Sequence, residues 1–255
     1  MEQSDLDQLV SRFQAARRDR ALAVLEGFHA LKHAIRFKAD LRSVVTNNLG
    51  GLELLAEQLA PDVRGAITAH ARTISYELFE QLSPGDQETG VMSLATRPVI
   101  GHETLQLLSH AAPVVLLESP AQLGNVGAVV RVAAAAGAAA VITTGPHDPW
   151  HPHALRGSAG LHFAIPVVRT DDYALAGRPL LAIDPDGEAL VPGSIPSNAV
   201  LAFGSERSGL SDDLLKRADA RLRIPMEPAV SSLNLATAVA VVLYAWRLLR
   251  QEPEK

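Results

Sequence analysis

The sequence contains no cysteine, which removes disulfides, thiolate metal sites and cysteine nucleophiles together. It also has no uninterrupted apolar run of membrane-spanning length, and its opening MEQSDLDQLV lacks the basic start and apolar core of a secretory leader. A soluble cytoplasmic protein is the expectation. Two nucleotide-binding signatures are missing as well. There is no G-x-x-x-x-G-K-[ST] loop. The stretch GNVGAVVR (Gly124 to Arg131) does not complete G-x-G-x-x-G, and the nearest acidic strand end, PLLAID, is too distant to serve as its ribose acid. The histidines His147, His151 and His153 share a proline-rich loop, but no carboxylate pattern completes a ligand set, so no metal is expected.

The chain has 255 residues, 47% hydrophobic and 20% charged, enough for one large core or two smaller ones. The net charge of -5 argues weakly against nucleic-acid binding, yet phosphates respond to local potential within about 10 Å at ordinary salt. Between Ser11 and Arg42 stand eight basic residues and three acidic ones. This is either a solvated helix face or a phosphate-binding surface; Arg17, Arg18, Arg20, Lys32 and Arg36 from this stretch, with Arg156 further along, are the candidate nucleic-acid contacts.

The first hundred residues alternate between helical and strand-like patterns. A helix is expected over Leu6 to Ala16, a strand over Leu22 to Leu25, a helix beginning near Phe28, a β-branched strand over Ser43 to Thr46 and a helix from Gly51 to Gln58. A strand is expected over Ala66 to Thr68, then a helix in SYELFEQLS with Ser75 as its cap. The boundary between two domains falls near Pro113, giving an α/β domain over 1-105 and another over 112-255.

From Val114 the chain repeats strand and helix: VVLLE, the helix through NVGAVVRVAAAAG, AAVITT, FAIPVV, a short helix near Asp171 to Ala176, PLLAID, AVLAFG, a helix near Ser211 to Ala218, RLRIPM and a terminal helix. Such βα repeats imply a mostly parallel sheet covered on both faces. The loops GSERSGLS and EPAVSSLN then lie at carboxyl ends of strands, where open α/β sheets bind ligands. A nucleotide or nucleoside-bearing cofactor is the natural occupant.

Four stretches, NVGAVVRVAAAAG, HALRGSAG, LAFGSERSGLS and IPMEPAVSSLNLATAVAVVLY, together resemble the SpoU/TrmH branch of the SPOUT methyltransferases. The resemblance covers Val114 to Arg250. It implies a SPOUT-type α/β fold with a C-terminal trefoil knot, S-adenosyl-L-methionine as cofactor, and methylation of ribose 2′-hydroxyls in RNA. More loosely, VLEGFHALKHAI, SYELFEQLS and TGVMSLATRP look like an L30e-like substrate-recognition domain, which favours rRNA over tRNA.

By the same resemblance Gly204, Ile224 and Leu233, with Ser205 and Met226 beside them, hold the cofactor. Arg131, Asn125, Glu206, Ser232 and Asn234 form the catalytic set. Arg131 would grip the target phosphate. A guanidinium is a poor base because its pKa stays above about 12. The terminal helix is apolar on more than one face, which a solvent-exposed monomer would not tolerate, and the resemblance implies a homodimer in which a helical surface is shared and Arg131 reaches the partner's site.

Overall fold

The computed structural model describes residues 3–82, 89–173 and 175–249. Ser83 of SYELFEQLS, Ala174 of the expected helix near Asp171, and both extreme ends of the expected domains lie outside these residues. The described residues divide into two units, one of 1–99 with 150–164 and one of 100–149 with 165–255.

The first unit contains α1 (Gln3–Ala16), β1 (Leu22–Glu26), α2 (Phe28–Arg36), β2 (Leu41–Thr46), α3 (Leu49–Leu59), α4 (Arg64–His70), β3 (Ala71–Thr73), α5 (Tyr76–Leu82) and β4 (Val91–Thr96). Its sheet runs β1-β4-β2-β3, with β4 antiparallel to both neighbours and β2 parallel to β3. Strand pleating sends alternate residues to opposite faces. Val45 and Met92 thus join Phe13 and Phe79, whereas Val44 and Val91 join Phe28, Leu31 and Ile67. Helices therefore cover both faces.

The strand expected over Ala66 to Thr68 is instead part of α4. Ile67 alone is buried there, and Thr68 Oγ1 donates to Arg64 O at 2.7 Å, the bond to the preceding turn that lets a β-branched residue sit in a helix. The strand follows immediately as β3.

The second unit contains α6 (His102–Gln106), β5 (Val114–Leu117), α7 (Leu123–Ala136) and β6 (Ala140–Thr143). The chain then enters the first unit as α8 (Pro152–Gly157) and a 3₁₀ turn, Leu161–Phe163. It returns with β7 (Val167–Arg169), β8 (Leu180–Ala189), β9 (Val200–Phe203), α9 (Asp212–Arg217), β10 (Ala220–Arg223) and α10 (Leu235–Leu248). All five pairings in the order β10-β8-β9-β5-β6-β7 are parallel. β5, β6 and β9 are buried at every position, as a parallel sheet clothed on both sides requires. α10 packs on α7, and Arg247 Nη1 donates to Ala136 O at 2.9 Å, closing the α7 C-terminus.

Residues 171–173 and 175–176 form bends and turns, not a helix. Thr170 Oγ1 accepts from Asp172 N at 3.1 Å, a local side-chain bond that competes with helix initiation.

The segment 150–164 joins the first unit for visible reasons. Arg156 pairs with Glu26, and His33 Nδ1 lies 2.8 Å from Ala159 O. Gly160 has φ +78, and a Cβ on it would stand 2.6 Å from Ala30 O. Ser158, fully buried, fastens the turn through Leu155 O, Gly160 N and His162 Nδ1.

Candidate functional site

A cleft of about 500 Å³ opens in the second unit, beside the middle of β8 and the carboxyl end of β9. Four separate segments build it: the middle of β8, the end of β9 with the loop after it, the stretch following β10, and the residues leading into α10 with its first turn; Gln122, the cap of α7, and Asn125 within α7 stand at one side. Ile183, Phe203, Leu210, Ile224, Leu233 and Leu235 supply apolar walls. This volume is in the range of nucleoside-sized ligand sites.

The loop after β9 is self-supporting. Ser205 and Gly209 exchange backbone hydrogen bonds of 3.1 and 3.0 Å, and Ser205 Oγ lies 2.7 Å from Ser208 Oγ. A Cβ on Gly204 would fall 2.0 Å from the Gly209 carbonyl carbon. Glycine at 204 is therefore required by the loop's own closure, not by approach of a ligand alone.

Within the cleft the polar residues form a directed chain. Asn234 caps α10, its Oδ1 accepting from Ala236 N and Thr237 N. With that oxygen occupied, Asn234 Nδ2 donates to Asn125 Oδ1 at 3.1 Å. Asn125 Nδ2 in turn donates to Glu206 Oε1 at 2.6 Å, while Glu206 Oε2 accepts from Ala121 N at 3.1 Å. Burial pushes the Glu206 carboxyl upward, but the hydrogen bonds from Asn125 and from the backbone outweigh it and hold the group below the usual carboxylate range. It is ionised at neutral pH.

The structure brings Asn125, Glu206, Ser232 and Asn234 to this cleft, together with Gly204, Ser205, Ile224, Met226 and Leu233. Arg131 is not among the lining residues. It sits exposed on α7, six residues beyond Asn125 and so about 120° away from it around the helix axis. Sequence reasoning also missed Gln122, Ile183, Asp184 and Pro185, which line the cleft. The D-P-D-G run there reads as a turn signal, although it continues β8.

The basic residues of the first unit divide. Arg17 pairs with Glu26 at 2.9 Å and also donates to Leu82 O; Arg156 pairs with the other oxygen of the same carboxylate. Arg36 makes a two-pronged bond to Asp62 at 2.8 and 2.6 Å. These three are engaged by acids of the chain itself, which a count of local charge does not reveal. Lys32 lies 5.9 Å from the Phe28 ring centre. Arg18 and Arg20 are exposed. Among the described residues no group of three or more His, Asp or Glu side chains is placed to hold a metal, and no helix is long and apolar enough to cross a membrane.

A wholly parallel sheet with a polar-edged, nucleoside-sized cleft at its strand ends defines an α/β domain built to bind a nucleoside-bearing ligand. Residues 112–244 match the SpoU rRNA Methylase family, and the chain belongs to that family. It is 31% identical over 183 residues to a 23S rRNA (adenosine(1067)-2'-O)-methyltransferase of Streptomyces laurentii, covering 68% of this chain and 67% of that protein. It is also 31% identical over 232 residues to a 23S rRNA (uridine(2479)-2'-O)-methyltransferase of Streptomyces viridochromogenes, covering 86% and 79%. In fold it resembles the SpoU methyltransferase AviRb of Streptomyces viridochromogenes in complex with AdoMet, with a TM-score of 0.76 at 22% identity over 94% of this chain and 98% of that one.

Proposed function

We propose that this protein transfers the methyl group of S-adenosylmethionine to a ribose 2′-hydroxyl of ribosomal RNA. The observation that carries this reading is the Glu206–Asn125–Asn234 chain, which ties three family motifs, distant in sequence, to one wall of one cleft. The names of the relatives, 23S rRNA 2′-O-methyltransferases, support the substrate class.

The cleft fits the cofactor. Its apolar walls suit an adenine ring, and the backbone around Gly204 and Ile224 offers groups for the ring edge. When bound, S-adenosylmethionine supplies an electrophilic methyl group. Ser232, on the rim of the cleft, has a hydroxyl suited to the incoming ribose or the methionyl end. Arg131 holds the target phosphate and offsets negative charge growing on the attacking oxygen. It does not act as base, because a guanidinium hardly ever loses its proton. The chemistry requires no metal.

α10 supports a homodimer. Its buried face carries Leu235, Val239, Val242, Leu243 and Trp246, yet Val241, Tyr244 and Leu248 form a second, exposed apolar row. In the proposed dimer a second copy covers that row and Arg131 of one chain serves the cleft of the other. The order of the sheet and the route of the chain after β10 through the cleft wall support a trefoil knot. The first unit, with its mixed sheet between helices and exposed Arg18 and Arg20, serves as the RNA-recognition domain of L30e-like type, and the protein works in the cytoplasm.

The test is incubation with labelled cofactor and separate rRNA and tRNA pools, repeated with Arg131→Ala. Label in rRNA that disappears with the variant is expected. Label confined to tRNA refutes the substrate assignment, and equal label with the variant refutes the role of Arg131.

A further inference from the structure

Among the described residues the cleft carries two ionisable side chains, Asp184 and Glu206, both acids, and no lysine, arginine or histidine lines it. The basic residues that flank its lining segments lie outside it: Arg207 is exposed and Arg223 donates to Gly187 O at 2.8 Å. The two acids differ in how they are used. Glu206 has both oxygens engaged, by Asn125 and by Ala121. Asp184 accepts from Asp186 N with Oδ1 at 3.0 Å. Its other oxygen has no bonded partner among the described residues, and it is half-buried beside Ile183 and Pro185. Apolar walls lower the local dielectric and lengthen the reach of its charge.

Resting on the methyltransferase reading, the inference concerns the difference between cofactor and product. S-adenosylmethionine carries a sulfonium, an ammonium and a carboxylate, for a net charge of about +1 at neutral pH. After methyl transfer the sulfur is a neutral thioether, and S-adenosylhomocysteine has no net charge. Shape is nearly the same, so apolar walls and backbone bonds cannot separate them well. A cleft of negative charge can. We infer that Asp184 is a selectivity residue whose carboxylate favours the charged methyl donor over the spent product, so that the cleft empties after each turnover.

A single uncompensated charge several ångströms away in a half-open site changes affinity by roughly three- to tenfold. The experiment is calorimetric titration of the protein with S-adenosylmethionine, S-adenosylhomocysteine and sinefungin, whose protonated amine replaces the transferred methyl group and so keeps a positive charge next to the sulfonium position. Asp184→Asn is the variant of choice, because an asparagine Oδ1 can still accept from Asp186 N and keep the turn. Melting temperature then checks that the fold is unchanged. The expected result is roughly three- to tenfold weaker binding of the two charged ligands with S-adenosylhomocysteine unaffected. Glu188→Gln, an exposed acid of the same strand outside the cleft, should leave the preference intact. If Asp184→Asn weakens all three ligands alike, the carboxylate holds a group common to them, such as the ribose hydroxyls, and the selectivity inference is wrong. If the unaltered protein binds neither donor nor product, the methyltransferase reading itself fails.

Discussion

Glu206→Gln is the substitution that tests the architecture of the cleft most directly. A carboxylate can only accept hydrogen bonds, whereas Asn234 Oδ1 is fixed as an acceptor by two backbone N–H groups of α10. These two ends force a single orientation on the amide between them: Asn125 must turn its NH₂ toward Glu206 and its oxygen toward Asn234. Glutamine can accept or donate, so one end of the chain loses its direction. The charge is lost too. A hydrogen bond to a charged group is worth about 1.5–3 kcal/mol and a neutral one about 0.5–1.5. The exchange therefore costs about 1–2 kcal/mol, reduced by the exposure of this side chain. If the chain orients Asn125 for the reaction, that loss appears as roughly a five- to thirtyfold fall in kcat/KM. Steady-state methylation of an rRNA fragment measures it, with S-adenosylmethionine affinity and melting temperature as parallel readings. Unchanged kcat/KM in a folded Glu206→Gln variant would refute the claim that a directed hydrogen-bond chain organises this wall. The lowered Glu206 pKa also has a signed consequence. The carboxylate's contribution is present above the ordinary carboxylate range and is lost as pH falls through its depressed value, so activity should persist into mild acid in the parent and lose that dependence in the variant.

Gly204→Ala should abolish cofactor binding and lower the melting temperature, because its Cβ would meet the Gly209 backbone and the loop cannot close around it; calorimetry and thermal melting check both. Glu26→Gln should destabilise the protein by about 1–3 kcal/mol in urea titrations, less than a fully buried pair, because Arg17 and Arg156 are partly solvated. Burial raises the Glu26 pKa, but its bonds to Arg156 and Arg17 prevail and lower it. Its stabilisation is therefore present above the unfolded carboxylate range and lost as pH drops through the depressed value, and the parent and variant curves should converge in acid. Val241→Glu combined with Tyr244→Arg should give a monomer by light scattering that binds cofactor and does not methylate RNA. Mixing Arg131→Ala with Asn125→Ala protein should restore methylation that neither has alone, since one chain would supply the arginine and the other an intact cleft; no recovery after subunit exchange refutes action across the dimer.

What the sequence revealed of the site, and what it concealed, follow from the range of the interactions. Gly204, Glu206 and Asn234 stand in short segments whose local chemistry is already unusual: a glycine-bounded polar loop after an apolar strand, and a serine and asparagine pair opening an apolar helix. Asp184 was hidden because its neighbours Pro185 and Gly187 are turn formers; β10 pairs with β8 only on either side of them, at Leu181 and Ala182 and again at Glu188 and Ala189, with a register shift between. The ion pairs of Arg17, Arg36 and Arg156 were hidden for the opposite reason. Their partners Glu26 and Asp62 lie 9, 26 and 130 positions away respectively, so their local surroundings read as free positive charge. The four-residue strands β5, β6 and β9 were legible as uniform apolar runs, whereas Ala66 to Thr68 was too short for periodicity to separate strand from helix.

α7 brings the argument to one geometric point. Asn125 and Arg131 stand six positions apart on the same helix, and a rigid helix leaves such residues about 120° apart around its axis. Asn125 is tied to Glu206 in the cleft, so Arg131 must face elsewhere, and it is exposed. Bringing both to one reacting centre within a single chain would require unwinding α7, whose middle is buried at Val126, Val129, Val130 and Ala133. Rotation of the helix is equally costly, since those residues would leave the core. If both residues serve the same reaction, the inexpensive solution is two chains, each giving its arginine to the other's cleft. The exposed row Val241, Tyr244 and Leu248 lies on α10, the helix packed against α7. If that row joins two copies, the joining surface and Arg131 lie on neighbouring helices, and disrupting the row should silence the arginine.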